Sequence, residues 1–137
     1  MLCVHDVEFI VIGGASAVLQ GAPVATFGLD IIHARSPDNL RRLEAELQVL
    51  GASYREHEER RPIPEIRHLG GGGHHLLMTD AGPLDVLGAV SGGRAYEDLL
   101  SDVVRFEIAP GIGIQVLSLA ALIKLKEQAG REKDLAA

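Results

Sequence analysis

The sequence predicts an α/β (α+β) fold in which helices pack on a mixed β-sheet. Short apolar runs of strand length alternate along the chain with segments in which leucines recur every three or four residues. Turns rich in glycine and proline separate these segments, and 16 of the 137 residues are glycine. Strand–helix order of this kind favours a sheet covered by helices over an all-β architecture.

Length and composition are those of a globular protein, and we expect residues 1–137 to form a single domain. Hydrophobic residues make up 47% of the chain and the net charge is −6, which argues against a basic face for duplex DNA. No apolar run approaches the roughly 18 residues of a membrane span. Cys3 is the only cysteine, so no internal disulfide can form. We therefore expect a cytoplasmic protein that binds neither membranes nor duplex DNA.

The stretch from Glu8 to His33 predicts a strand, a glycine turn, a short helix and a second strand. Val7–Ile12 is apolar and has strand length. Gly13 and Gly14 remove Cβ atoms from the turn, so a phosphate can approach the backbone closely. A helix over Ala15–Gln20 would aim its free backbone N–H groups at the same point.

The second strand of this stretch, Ala25–Ile32, carries Asp30 in apolar surroundings. A carboxylate beside a glycine-rich helix start suggests chemistry on a metal-bound phosphate. This interpretation makes Asp30 the first candidate site residue.

The next helix should begin at Ser36, because serine is a favoured N-cap and Pro37 suits the first helical position. Its apolar face is formed by Leu40, Leu43, Leu47 and Leu50. Gly51 is the C-cap candidate.

The charged segment Tyr54–Pro64 shows no periodicity and is predicted to be an exposed loop. Its Arg60 and Arg61 have no spacing that supports a phosphate or RNA site.

His74 and His75 follow a run of four glycines and invite a zinc hypothesis. Adjacent residues on a strand point to opposite faces, so the two rings do not easily share one metal ion. No cysteine or third histidine lies at ligand spacing. We expect both histidines to be structural or solvent-exposed.

A hairpin is predicted from His75–Thr79 and Pro83–Leu87, joined by a turn over Asp80–Gly82. Asp85 interrupts the otherwise apolar second strand. A carboxylate in such a strand lies on the solvent face of an edge strand, forms a buried ion pair or binds a metal ion. The presence of Asp30 on another strand favours the metal hypothesis.

The last third of the chain predicts a helix, two strands and a final helix. The ranges are a helix over Arg94–Asp102, strands over Val103–Ile108 and Ile114–Leu117, and a helix that Ser118 caps and that runs to Ala129. Gly130 is expected to end the final helix.

Several of these motifs occur together in one known family. They are Gly13-Gly14, Thr26-Phe27-Gly28-Leu29-Asp30, Asp85, Leu122-Ile123-Lys124-Leu125-Lys126 and Arg131-Glu132-Lys133-Asp134. In this order they resemble the nucleotidyltransferases of the polymerase-β type, especially the small bacterial members related to toxin–antitoxin pairs. The family's second strand carries Thr-x-Asp-x-Asp, and its first aspartate falls on Gly28 here.

The resemblance implies a nucleotidyltransferase fold with a mixed sheet, and it implies roles for six residues. Asp30 and Asp85 would be the catalytic metal ligands for Mg²⁺ or Mn²⁺. The nucleotide would be bound by Gly13, Gly14, Ser16 and Lys126, although a solvated helix face is the simpler interpretation of Lys126 from the sequence alone.

The activity implied is transfer of a nucleoside monophosphate from an NTP to an acceptor hydroxyl of a protein, a tRNA or a small molecule. Loss of the aspartate at Gly28 leaves an alternative open. In that alternative the protein has impaired catalysis and binds a nucleotide or a partner, for example a cognate antitoxin.

Overall fold

A computed structural model describes residues 7–13, 20, 28–55, 63–90 and 93–136, with the backbone alone described for 108–109 and 129–136. Within these residues, seven strands form one sheet in the order β3-β4-β5-β2-β1-β7-β6. The strands are β1 (Phe9–Ile12), β2 (Leu29–His33), β3 (Ser53–Tyr54), β4 (His74–Thr79), β5 (Gly82–Leu87), β6 (Val103–Ala109) and β7 (Ile112–Leu117).

The sheet is mixed, as the sequence predicts. β2 lies parallel to β5, and β1 lies parallel to β7. The other four neighbouring pairs are antiparallel. A parallel pair requires a long crossover connection, and helices lie in the connections that carry the chain between the parallel partners. In the strand order of the sheet, β2 lies at the centre, between β1 and β5.

The described helices are α1 (Pro37–Val49), α2 (Ile66–Leu69), α3 (Tyr96–Leu99) and α4 (Leu119–Ala136), and a 3₁₀ turn (Leu100–Asp102) follows α3. The predicted start of α1 is confirmed, because the Ser36 side chain accepts a hydrogen bond of 3.3 Å from the backbone N–H of Asn39. Gly51 follows the last residues of this helix with a φ of 67°, a left-handed conformation that favours glycine.

Helices cover both faces of the sheet, and each face has its own apolar layer. α1 and α2 cover one face, whose layer includes Val11, Ile31, Leu43, Leu47, Leu69, Leu77, Val86 and Val116. α3 and α4 cover the other face, whose layer includes Ile10, Ile12, Ile32, Tyr96, Leu99, Leu117, Leu122 and Leu125. The alternation of Ile31 and Ile32 between the two layers shows that β2 is covered on both sides.

The structure corrects two sequence predictions. Gly130 does not end the last helix, because α4 continues to Ala136. A glycine costs about 1 kcal/mol inside a helix, and the arginine, glutamate, lysine and leucine residues that follow it are strong enough helix formers to continue. Tyr54 is not in a loop but in β3, where it pairs with Leu77 of β4.

The predicted helix Ala15–Gln20 and the start of the predicted strand Ala25–Ile32 lie outside the described residues, apart from Gln20. The hairpin is confirmed, with β4 and β5 joined by a turn at Asp80 and Ala81. Among the described residues, no helix combines the length and the apolar character needed to cross a membrane.

Candidate carboxylate site at the centre of the sheet

Asp30 and Asp85 lie directly beside each other on parallel strands. In the register of β2 and β5, Asp30 is the partner of Asp85, and Ile31 is the partner of Val86. Side chains at paired positions of parallel strands point to the same face. Asp30 therefore shares a face with Asp85 and with Ile32, which is the face that α3 and α4 cover. The expected placement on neighbouring strands is confirmed.

The carboxyl groups of Asp30 and Asp85 influence each other electrostatically. Burial raises the pKa of Asp30 above its usual value, and the charge of Asp85 and a hydrogen bond with its side chain raise that pKa further. Two carboxylates this close disfavour simultaneous ionisation unless a cation lies near them. The positive charges of Arg55 and His74 act in the opposite direction and lower the pKa of Asp30.

Gly13 forms the wall of the site on the β1 side. It follows Ile12, the β1 partner of Asp30, and has a φ of 69°. A Cβ atom at this position would lie 2.4 Å from Asp30 Oδ2. The glycine is required both for the left-handed backbone and for the close approach of the carboxylate.

Arg55 is a member of the site that the sequence analysis did not identify. Its Nη2 donates a hydrogen bond of 2.6 Å to Asp85 Oδ1, and the two side chains are 28% and 29% exposed. The charged segment after β3 has no periodicity that distinguishes Arg55 from its neighbours. The contact arises because β3 pairs with β4, and β4 pairs with β5. Arg60 and Arg61 lie outside the described residues.

Gly28 lies in the bend before β2. A Cβ atom there would be 3.1 Å from the carbonyl oxygen of Pro83 and 3.2 Å from its Cβ. Pro83 lies two residues before Asp85 on β5 and so on the same face. Position 28 therefore faces the carboxylate side, as its spacing from Asp30 predicts, but a side chain there would press on Pro83.

Of the other three proposed nucleotide-binding residues, only Lys126 lies among the described residues. Gly14 and Ser16 lie outside the described residues. Lys126 is exposed on α4, the helix that packs over the Asp30 face through Leu122 and Leu125. Lys126 is not among the described groups whose charges shift the pKa of Asp30.

His74 and His75 point to opposite sides of β4, as expected. His74 is exposed, whereas His75 is buried with its Nδ1 2.9 Å from the hydroxyl of Tyr54. Within the part of the chain that the structure describes, no three histidine, cysteine, aspartate or glutamate side chains form a metal-binding group. The prediction that these histidines do not bind metal remains a prediction.

The donor set of the site fits one magnesium or manganese ion. Mg²⁺ is commonly held by one or two carboxylates together with the phosphates of a substrate, rather than by a complete protein cage. Asp30 and Asp85 supply two such carboxylates on one face. Burial and then the charge of Asp85 raise the pKa of Asp30, and a bound cation would favour its ionised form.

Comparison with solved structures shows the fold of this chain. A crystal structure from Thermotoga maritima, described as a "putative nucleotidyltransferase", matches with a TM-score of 0.64 and 19% identity. The match covers 98% of this chain and 84% of that chain. The fold is therefore a nucleotidyltransferase-like fold, and at this identity the likeness concerns the fold alone. No protein-family model matches the sequence, and no curated protein matches it.

Proposed function

We propose that this protein is a nucleotidyltransferase that binds an NTP with Mg²⁺ or Mn²⁺ at Asp30 and Asp85. The observation that carries this proposal is the parallel register that pairs Asp30 with Asp85 at the centre of the sheet. The fold that it shares with a protein described as a "putative nucleotidyltransferase" supports the same class of chemistry. Carboxylates at such a position are costly unless a cation compensates them.

Each residue has a proposed role in binding and positioning. Asp30 and Asp85 hold the cation, which when bound neutralises charge on the triphosphate and on the departing pyrophosphate. Gly13 keeps the turn backbone close to Asp30, so that the phosphates and the carboxylates meet in one place. Gly14 and Ser16, which come soon after Gly13 in the sequence, would cradle the phosphates. Lys126 approaches them from α4.

The proposed reaction replaces one phosphorus–oxygen bond with another. The acceptor hydroxyl oxygen bonds to the α-phosphorus and loses its proton, while the bond from this phosphorus to the bridging oxygen breaks. Pyrophosphate leaves with that oxygen. Phosphoryl chemistry of this kind depends mainly on positioning of the reactants and on stabilisation of charge. The site would provide both to a protein or tRNA acceptor that binds near the two carboxylates.

A second candidate function is nucleotide or partner binding without efficient catalysis, as in a component of a toxin–antitoxin pair. Two observations favour it. Gly28 stands where the resemblance places a third carboxylate, and Arg55 already pairs with Asp85. Pyrophosphate release separates this candidate from the first.

The test is incubation with each labelled NTP, Mg²⁺ and cell lysate. Wild type should transfer label to a macromolecule and release pyrophosphate, and Asp85→Asn should lose both activities. Asp102→Asn is the matched control, because Asp102 is exposed on the 3₁₀ turn that precedes the edge strand β6. Nucleotide binding without transfer or pyrophosphate release would support the second candidate and contradict the first.

A further inference from the structure

Arg55 forms an ion pair with Asp85, one of the two carboxylates that the proposed function assigns to a metal ion. Its guanidinium lies 2.6 Å from Asp85 Oδ1, and each side chain of this pair is less than a third exposed. The pair is therefore better shielded from water than the exposed pair of Arg67 with Glu65, whose side chains are 76% and 54% exposed. Arg55 is the best-shielded cation contact among the described ion pairs.

The guanidinium acts on both carboxylates. It contacts Asp85 directly, and its charge lowers the pKa of Asp30. It thus performs part of the electrostatic task that a divalent ion would perform. A metal ion at Asp85 would compete for the same carboxylate oxygen and would be repelled by the guanidinium at short range.

Arg55 also has space to leave Asp85. It borders an open cleft of about 450 Å³ that lies beside the β3 edge of the sheet. The cleft is lined in addition by Ser53, Met78, Thr79 and Asp80. Arg55 thus contacts Asp85 and also borders an open cleft, so its side chain can change partners without displacing a core residue.

We propose that Arg55 is a counter-cation with two partners. Its guanidinium pairs with Asp85 in the empty protein and moves to the triphosphate when metal and nucleotide bind together. This inference rests on the proposed function, because it assigns the same two carboxylates to the metal ion. Metal alone must displace the guanidinium with no compensation. A bound triphosphate offers that guanidinium a bidentate partner, so nucleotide makes metal binding more favourable.

The test measures Mn²⁺ binding with and without a non-hydrolysable NTP analogue. Arg55→Gln should bind Mn²⁺ alone about three- to thirtyfold more tightly than wild type, because a charge-assisted competitor has been removed. The factor by which the analogue tightens Mn²⁺ binding should fall in this variant. Arg67→Gln, which removes an exposed arginine–carboxylate pair, should leave both quantities unchanged.

A second variant keeps the test decisive if Arg55→Gln does not fold. Arg55→Lys retains the charge but loses the planar fork, so its affinity for Mn²⁺ alone should lie between those of wild type and Arg55→Gln. Mn²⁺ binding that needs Asp30 but is equal in wild type and the Arg55 variants would overturn the role of Arg55 and leave the proposed function intact. Absence of Mn²⁺ binding in all variants, with or without the analogue, would overturn both.

Discussion

Gly13 and Asp30 are in direct contact, and the missing side chain of Gly13 is what permits it. A Cβ atom on Gly13 would lie 2.4 Å from Asp30 Oδ2 and 3.1 Å from its Cγ. The glycine turn after β1 and the carboxylate of β2 therefore form one structural unit. Both features are needed to bring the phosphate-binding backbone of the proposed site next to its cation ligand.

Gly13→Ala should destabilise the protein and weaken Mn²⁺ binding. An L-residue at positive φ costs roughly 1–2 kcal/mol, and displacement of the Asp30 carboxylate should add about 1–3 kcal/mol of packing strain. Gly111→Ala is the matched control, because Gly111 also has a positive φ of 78° but has open space at its Cβ position. Urea denaturation measures the difference, and equal losses in the two variants would show that the contact with Asp30 is unimportant.

Asp30→Asn should change how stability depends on pH in EDTA. The folded-state pKa of Asp30 is raised above 3.8, chiefly by burial and then by Asp85. Ionisation therefore destabilises the folded state as pH rises from the unfolded value through the raised one. Asparagine cannot ionise, so the variant should gain stability relative to wild type as pH increases from the unfolded-state pKa through the raised folded-state pKa.

The pH experiment is a series of thermal midpoints for wild type and Asp30→Asn in EDTA. A difference between Asp30→Asn and wild type that stays constant across the series would contradict the coupling between Asp30 and its surroundings.

Lys126→Ala should weaken NTP binding and leave the thermal midpoint nearly unchanged. Lys126 is exposed, so it contributes little packing, whereas a charge-assisted contact with phosphate is worth roughly 1.5–3 kcal/mol. Lys124→Ala is the control, since Lys124 is also exposed on α4. Equal NTP affinity in wild type and Lys126→Ala, measured by calorimetry, would remove Lys126 from the site.

Gly28→Asp should restore a metal ligand at some cost in stability. A Cβ atom at position 28 contacts Pro83 at 3.1–3.2 Å, so we expect a loss of about 1 kcal/mol in EDTA. Mn²⁺ should then raise the thermal midpoint more than in wild type, because a ligand that binds only the folded state stabilises it by mass action. Gly28→Ala introduces the same Cβ without the carboxylate and should show no added metal effect. A metal-induced shift no larger in Gly28→Asp than in wild type would mean that a carboxylate at position 28 does not join a metal site with Asp30.

The placement of Asp30 and Asp85 on neighbouring strands was predictable from the sequence, partly through the family resemblance and partly for a physical reason. Each aspartate interrupts an apolar strand, and a carboxylate is tolerated in such a strand only where something compensates its charge. The start of α1 was equally accessible, because Ser36 and Pro37 satisfy helix-start requirements locally.

Contacts between segments that are distant in the sequence could not be predicted in this way. Asn39 is fully buried, and its side chain exchanges hydrogen bonds of 2.7 and 3.0 Å with the backbone of Glu8. The pairing of Arg55 with Asp85 likewise depends on the order of β3, β4 and β5 in the sheet. No local pattern encodes either contact. The continuation of α4 through Gly130 was missed because a single glycine is weaker than the helix formers around it.

The most direct test of the central claim is calorimetric titration of NTP into the protein in Mg²⁺ and in EDTA. Wild type should bind NTP only when Mg²⁺ is present. In Mg²⁺, Asp30→Asn should bind NTP about tenfold or more weakly than wild type, because the substitution removes a charged ligand of the cation. Asp102→Asn should bind as wild type does. NTP affinity that is the same in Mg²⁺ and EDTA, or that is unchanged in Asp30→Asn, would contradict a metal–nucleotide site at Asp30 and Asp85.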